Sequence, residues 1–213
     1  MTIRISKIFV SDAFVEYKEK NHITRKSGKV QFYHTNATIS NFTNDKSSIA
    51  ANNIMTADVR TVFLNMTPLT TSWIFYLGHP SGKFGVKGSL GSIDATKLNV
   101  LAEPMGPARI EKGKLNGLQF DLTGNDYSMN ARVRCLYNDV KVSILEMDKG
   151  AKETDRKFLA SLLANTVIKN DNPKGKDPPR DANIEYKRDT NRSLFNLCWK
   201  SIFEGVRETL GIK

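Results

Sequence analysis

The three histidines are the side chains best suited to bind metal, and their spacing argues against that role. His22, His34 and His79 are separated by 12 and 45 positions. None of them has a second ligand-type residue at the spacing of a metal-binding helix. The pattern is typical of two loop histidines and one strand histidine, so we expect no metal site.

The segment GHPSGK, residues 78–83, is the nearest approach to a phosphate-binding loop. It has three residues between its glycines where the motif needs four, and Phe84 stands where a Ser or Thr should hold Mg²⁺. No GxSxG motif and no suggestive Cys/His pair occurs. Among the carboxylates only Asp121, on an apolar strand pattern, is unusual, although a carboxylate pair assembled by the fold would not show in a sequence. We expect no enzymatic activity and no cofactor.

The positive net charge of +10 raises the question of a nucleic-acid partner. Residues 1–148 hold 18 basic and 13 acidic residues, and residues 149–213 hold 14 and 9, so each part carries +5. No basic run is longer than two residues. Phosphate tracking needs clustered cations, and the dispersed charge therefore predicts no nucleic-acid partner.

Alternating apolar residues dominate residues 1–148 and predict a β-sheet domain there. The cleanest two-residue period is Met55, Ala57, Val59, Thr61, Phe63. We expect a mainly β fold: a strongly curved, mostly antiparallel, groove-like sheet over roughly residues 2–146. A turn or bulge is predicted at 11–12, and turns are predicted at 111–113 and 138–139. Glycines at positions 82, 85, 88 and 91 favour bending or close backbone approach.

One strand pattern has apolar residues on both faces. Trp73, Phe75 and Leu77 alternate with Ile74 and Tyr76, so either both faces are covered or one face meets a partner. The surrounding uncharged stretch, residues 61–82, is long enough to span a membrane. Its two prolines, four threonines and terminal turn favour two strands around a Thr-Pro turn instead.

In residues 149–213 the spacing of apolar residues changes from two to three and four positions, which predicts a helical segment. Helices are expected near 155–168 and 192–210, separated by a polar Pro/Gly loop (169–181) and one short strand at Ile184 and Tyr186. Asn191 or Ser193 would cap the second helix, and Gly211 would end it. Its apolar stripe includes Phe195, Trp199, Phe203 and Val206. The stripe fits a helix packed on the sheet, or one at a membrane or partner surface.

Two cysteines, Cys135 and Cys198, lie in different kinds of segment. Neither forms a CxxC motif. The pattern allows one long-range disulfide but favours two buried free thiols.

Residues 82–145 resemble the C-terminal region of AsmA-like proteins, especially the Bacteroidetes type. The resemblance rests on turns, glycines and apolar positions in the family's order: Gly88-Ser89-Leu90, Leu98-Asn99, Pro104, Gly113-Lys114-Leu115, Phe120, Gly124-Asn125-Asp126, Tyr137 and Val140–Leu145. The tail is similar as well, in NDNPKGKDPPR (170–180) and YKRDTNRSLFNLCWKSIFEGV (186–206). No catalytic motif is part of this pattern.

The resemblance implies a periplasmic envelope protein anchored in the inner membrane, with a twisted sheet curled into an apolar groove. It implies a part in lipid transfer or outer-membrane homeostasis, with lipid, membrane or envelope-protein partners. The chain would then be a C-terminal fragment. The expected contact residues are Trp73, Phe75, Leu77, Phe195, Trp199, Phe203 and Val206. The alternative is a structural or protein-docking module whose apolar face is filled by its own side chains.

Overall fold

The computed structural model describes residues 1–20, 27–105, 108–145 and 168–212. Its strands are β1 (Arg4–Lys20), β2 (Ser27–Thr43), β3 (Ile54–Phe63), β4 (Thr67–Tyr76), β5 (Phe84–Leu90), β6 (Ile93–Asp94), β7 (Ala108–Gly124), β8 (Ser128–Ile144) and β9 (Asp181–Lys187). Its helices are α1 (Lys46–Ala51), α2 (Asn99–Met105) and α3 (Leu194–Leu210), with a 3₁₀ turn at Ala95–Leu98.

The nine strands of the described residues form one open antiparallel sheet. The order along the sheet is β1-β2-β3-β4-β5-β7-β8-β9, and the short β6 pairs beside β5 with β7. The mainly β, antiparallel prediction is confirmed. The predicted short strand at 184–186 is β9, which pairs with β8.

Contacts made by α3 show how strongly the sheet curves. The helix packs on β8 and β9, at one end of the strand order. Its residue Phe195 also lies against Tyr17 of β1 and Phe32 of β2, at the other end. Because both ends of the sheet contact one helix from the same face, that face is concave.

Bulges bend the long strands, and two of them replace predicted turns. The register of β7 with β8 shifts around Lys112 and Lys114, opposite Lys141 and Asn138. The turns predicted at 111–113 and 138–139 are therefore wrong, because the backbone pairing continues through both sites. Their turn-type residues, including Asp139 with φ 52°, serve bulges instead. The prediction of a turn or bulge at Ser11-Asp12 is confirmed as a bulge.

The last helix begins and ends at the predicted caps. The Ser193 hydroxyl accepts a hydrogen bond from the Asn196 amide at 3.2 Å, and Gly211 ends the helix with φ 81°. The first predicted C-terminal helix, near 155–168, lies almost entirely outside the described residues.

One further local prediction is corrected in detail, and the short helix α2 includes Pro104 and ends at Met105. Within residues 61–82 the turn lies at Leu64–Met66 rather than at Thr-Pro, since Leu64 and Asn65 have the positive φ values and Thr67 and Pro68 already pair in β4. Among the described residues, no helix combines the length and apolarity that crossing a membrane requires.

Candidate functional site

The concave face of the sheet is nearly free of charge. Pairing registers place Ile8, Ile39, Ala57, Trp73 and Val86 in one row on this face. The row continues through Leu122, Ala131 and Ile184. Charged strand residues such as Asp58, Lys87, Asp121 and Arg132 fall on the opposite, convex face, because side chains alternate along each strand.

Charges on the concave face occur at its margins and are paired. Arg4, at the start of β1, lies 2.9 Å from Asp45. Glu19, near the other end of β1, lies 3.5 Å from Lys200 of α3. We call this concave face the trough.

Burial divides the trough into two halves. The closed half comprises β5–β9, where Val86, Leu122, Met129 and Val133 are at most 2% exposed, together with the ends of β2–β4 at which Val30, Phe63 and Thr67 are buried. The open half is the part of the trough lined by half-buried residues of β1–β4: Ile8, Val10, Ala37, Ile39, Met55, Ala57, Val59, Trp73 and Phe75. In the part of the chain that the structure describes, α3 contacts β8 and β9 but not β3 or β4 at comparable extent.

An aromatic row crosses the boundary between the halves. The rings of Trp73 and Phe75 stack with centroids 6.0 Å apart, and Phe75 stacks on Phe84 at 6.1 Å. Phe84 is 2% exposed, whereas the other two rings are half-buried. The Trp73 Nε1–H donates to the Thr71 hydroxyl at 2.8 Å, so its polar group is satisfied and its ring face remains apolar. Leu77, predicted to share this face, lies beyond the end of β4.

Small residues let α3 approach the closed half closely. Ser201, Gly205 and Thr209 are buried at four-residue intervals on the side facing the sheet. A Cβ on Gly205 would stand 2.5 Å from a methyl of Val133. The Tyr137 hydroxyl donates to the Thr209 carbonyl at 2.8 Å. The helix is thus fixed against β8 by shape and by one buried hydrogen bond.

The far end of the β1–β2 hairpin lies across the N-terminal half of α3. Phe195 packs with Tyr17 at 4.6 Å and with Phe32 at 5.9 Å between ring centroids. The side-chain nitrogen of Asn196 donates to the Glu19 carboxylate at 3.0 Å. This Glu19–Asn196–Lys200 contact was not apparent from the sequence, because nothing local relates positions 177 residues apart.

The remaining predicted α3 residues form a half-buried face. Trp199 and Phe203 stack at 6.1 Å, and Trp199 and Val206 pack against the core. The structure thus brings Trp73 and Phe75 together in the open half, and it places Phe195 under the hairpin. The half-buried trough residues of β1–β3, such as Ile8 and Met55, were not among the contact residues expected from the sequence. Their apolar–polar alternation was the signal that could have identified them.

The convex face carries the other apolar side of β4. Ile74 and Tyr76 line an open hollow of about 570 Å³, bordered by Lys83, Lys87 and Asp121. Lys83 Nζ stands 5.0 Å from the centroid of the Tyr76 ring, and Lys87 pairs with Asp121 at 3.1 Å. The convex apolar side of β4, formed by Ile74 and Tyr76, therefore lines a shallow surface hollow bordered by charged residues.

Reactive chemistry is sparse in the described residues. No group of three or more His, Cys, Asp or Glu side chains is arranged there to hold a metal ion. Cys135 and Cys198 are both buried and free, as the pattern favoured. Burial raises the pKa of each thiol to about 12, so neither is a thiolate at neutral pH.

Comparison with protein-family models, curated proteins and solved structures finds no match to this chain.

Proposed function

We propose that this chain is a non-catalytic lipid-binding module whose open trough half holds acyl chains. The observation that carries the proposal is the nearly charge-free concave face, whose open half is lined by residues that are only half-buried. Apolar surface kept in contact with water costs about 25 cal/mol per Å². A ligand without hydrogen-bonding groups along its length, such as an acyl chain, recovers this free energy and leaves no polar group unpaired.

The AsmA-like resemblance is consistent with this proposal. It implies an apolar groove in a curled sheet, and the chain has a concave antiparallel sheet with one apolar face. We therefore propose that the chain belongs to the cell envelope, as the C-terminal segment of an AsmA-like periplasmic protein with a part in lipid transfer or outer-membrane homeostasis. Cell fractionation of the full-length protein tests this location.

The alternative is a structural or protein-docking module with a filled core. It is favoured by one observation: α3 already fills the closed half, and Phe195 is occupied by Tyr17 and Phe32. On this alternative, the open half is a protein contact surface and carries no lipid.

A pair of variants on β4 separates the two functions. Trp73→Glu places a charge in the trough beside the aromatic row, and we expect it to abolish binding of a fluorescent fatty acid. Thr70→Glu is the matched control, because Thr70 lies on the convex face of the same strand opposite Arg60. Circular dichroism checks that both variants remain folded, and mass spectrometry of the purified wild type looks for bound lipid. A wild type that binds no fatty acid and carries no lipid contradicts the lipid function.

Membrane contact through α3 is tested separately by flotation with anionic liposomes. Trp199→Glu combined with Phe203→Glu charges the half-buried face of the helix and leaves Ser201, Gly205 and Thr209 against the sheet. We expect the wild type to float and the double variant to remain at the bottom. Equal behaviour of the two proteins would assign α3 to packing alone.

A further inference from the structure

The two edges of the sheet differ in a way that points to a partner. One edge is β9, which is seven residues long, and the other is β1, which is 17 residues long. Among the described residues, β2 pairs with one side of β1 and no strand pairs with the other. Free backbone N–H and C=O groups along such an edge form a template for another strand.

Side chains in the first part of β1, from Ile5 to Val10, do little to protect this edge. Four of the large hydrophobic residues that are exposed lie on it: Ile5, Phe9, Phe14 and Val15. Phe9 is 70% exposed, and Phe42, opposite Ile5 on β2, is 39% exposed. Natural edges are usually blunted by charge or proline, yet Lys7 is the one charged residue between Ile5 and Val10.

The chemistry of β1 defines the strand that would pair with it. Ile5 and Phe9 face the convex side, whereas Ile8 and Val10 face the trough. A partner strand must therefore be apolar on both faces. In the described part of the chain β1 and β4 have this character, and β4 is already paired on both sides. A second copy's β1 meets the requirement.

We propose that two copies of this chain pair through antiparallel β1 strands, related by a two-fold axis at Ile8. A two-fold axis at Lys7 would set Lys7 opposite its own copy, and like charges directly opposite one another are destabilising. An axis at Phe9 would pair only residues 8–10, because the bulge follows Val10, and an axis at Ser6 would leave Phe9 and Val10 without a partner. An axis at Ile8 sets Ile8 opposite Ile8 and Lys7 opposite Phe9. The pairing spans residues 6–10, because the bulge after Val10 interrupts the strand.

This pairing joins the two open trough halves. Ile8 faces the trough, so the apolar surface continues across the axis from one copy to the other, with an α3 closing each outer end. The pairing is isologous and closes on itself, so the assembly stops at two copies. It involves backbone and side chains of β1 alone and does not depend on a lipid ligand.

Sedimentation of the full chain over a concentration series tests the proposal. We expect the wild type to pass from monomer to dimer, and Ile8→Lys to raise the dimer Kd at least about tenfold. Met55→Lys is the control: Met55 is also half-buried on the trough face but lies on β3, two strands from the edge. A wild type that stays monomeric throughout, or an Ile8→Lys dimer as tight as the wild type, overturns the proposal.

A cysteine at the axis tests the register. Directly opposed Cα atoms in antiparallel strands are about 4.5 or about 5.5 Å apart, which is within disulfide range. Mild oxidation should therefore crosslink Ile8→Cys into a covalent dimer and leave Ser6→Cys, which would face Val10, largely monomeric. Cys135 and Cys198 are buried and do not compete. Faster crosslinking of Ser6→Cys than of Ile8→Cys would contradict the register.

Discussion

At the scale of single residues, two buried positions fix how the C-terminal segment meets the sheet. Gly205 lets α3 lie directly on Val133. Asn172 is fully buried, and its side-chain nitrogen donates to the backbone carbonyls of Cys135 and Arg180. Its side-chain oxygen accepts from the backbone N–H of Arg180. Gly205 is small because β8 lies directly against the helix at that point. Asn172 is polar because its side chain pairs with backbone groups that would otherwise lack a partner.

Gly205→Ala should destabilise the protein by about 1–3 kcal/mol, because the added methyl overlaps Val133 in a packed core. In an unconstrained helix the same change would stabilise by about 1 kcal/mol, so the sign of the effect is diagnostic. Urea unfolding measures the free energy. Gly117→Ala is the control, since its Cβ would meet its nearest neighbour, the Leu90 carbonyl oxygen, at an ordinary 3.5 Å. A Gly205→Ala variant as stable as the wild type would contradict the close packing.

Asn172→Ala should cost about 3 kcal/mol, because it leaves the buried Cys135 carbonyl and the half-buried carbonyl and N–H of Arg180 without their partner. The exposed Asn183 of β9 provides a matched substitution, and Asn183→Ala should change the free energy of unfolding by less than about 0.5 kcal/mol. Equal unfolding midpoints for the two variants would refute the role assigned to Asn172.

At the scale of elements, β9 is attached to the sheet by an ion-pair cluster as well as by its ladder. Asp181, the first residue of β9, contacts Arg132 and Arg134 of β8, each at 2.6 Å. The hydrogen bond from Arg134 is the main cause that lowers the pKa of this carboxyl, and Arg132 adds to it. Its side chain is 15% exposed, so solvent screens the cluster only in part.

The lowered pKa predicts how the contribution of Asp181 to stability depends on pH. A carboxyl whose folded pKa lies below its unfolded value stabilises the fold above the unfolded pKa, here 3.8, and loses that contribution as pH falls through the folded pKa. Asp181→Asn should therefore cost about 2 kcal/mol at neutral pH, and the difference from wild type should shrink below pH 3.8. Asp177→Asn, in the exposed loop, serves as the control. A difference that stays constant on acidification would exclude the ionised cluster as its source.

At the scale of the whole molecule, the trough is closed by parts of the chain that are remote in sequence. The β1–β2 hairpin bends at its bulges, where Asp12 and His34 have positive φ values. Its far end then reaches Phe195 and Asn196 of α3. The sheet, the helix and the hairpin together enclose the closed half and leave the open half accessible.

Removal of the Phe195 ring should loosen this closure. Phe195→Ala deletes the contacts with Tyr17 and Phe32 and should destabilise the protein by about 3 kcal/mol. Hydrogen exchange should rise at the far end of the hairpin before it rises in β7 and β8. Tyr127→Ala removes a ring that is 67% exposed and should leave exchange unchanged. Uniform protection in the Phe195→Ala protein would show that the hairpin is held by other contacts.

The sequence by itself determined the elements whose causes are local. Alternation placed the strands, and a helical period with Ser193 and Gly211 placed α3. Tertiary structure alone decided what is made by residues far apart. The turn-type residues near 112 and 139 became bulges because each faces an extended partner strand. The trough acquired a closed and an open half because curvature brings Tyr17 to Phe195, and neither residue's neighbours in the chain specify that meeting.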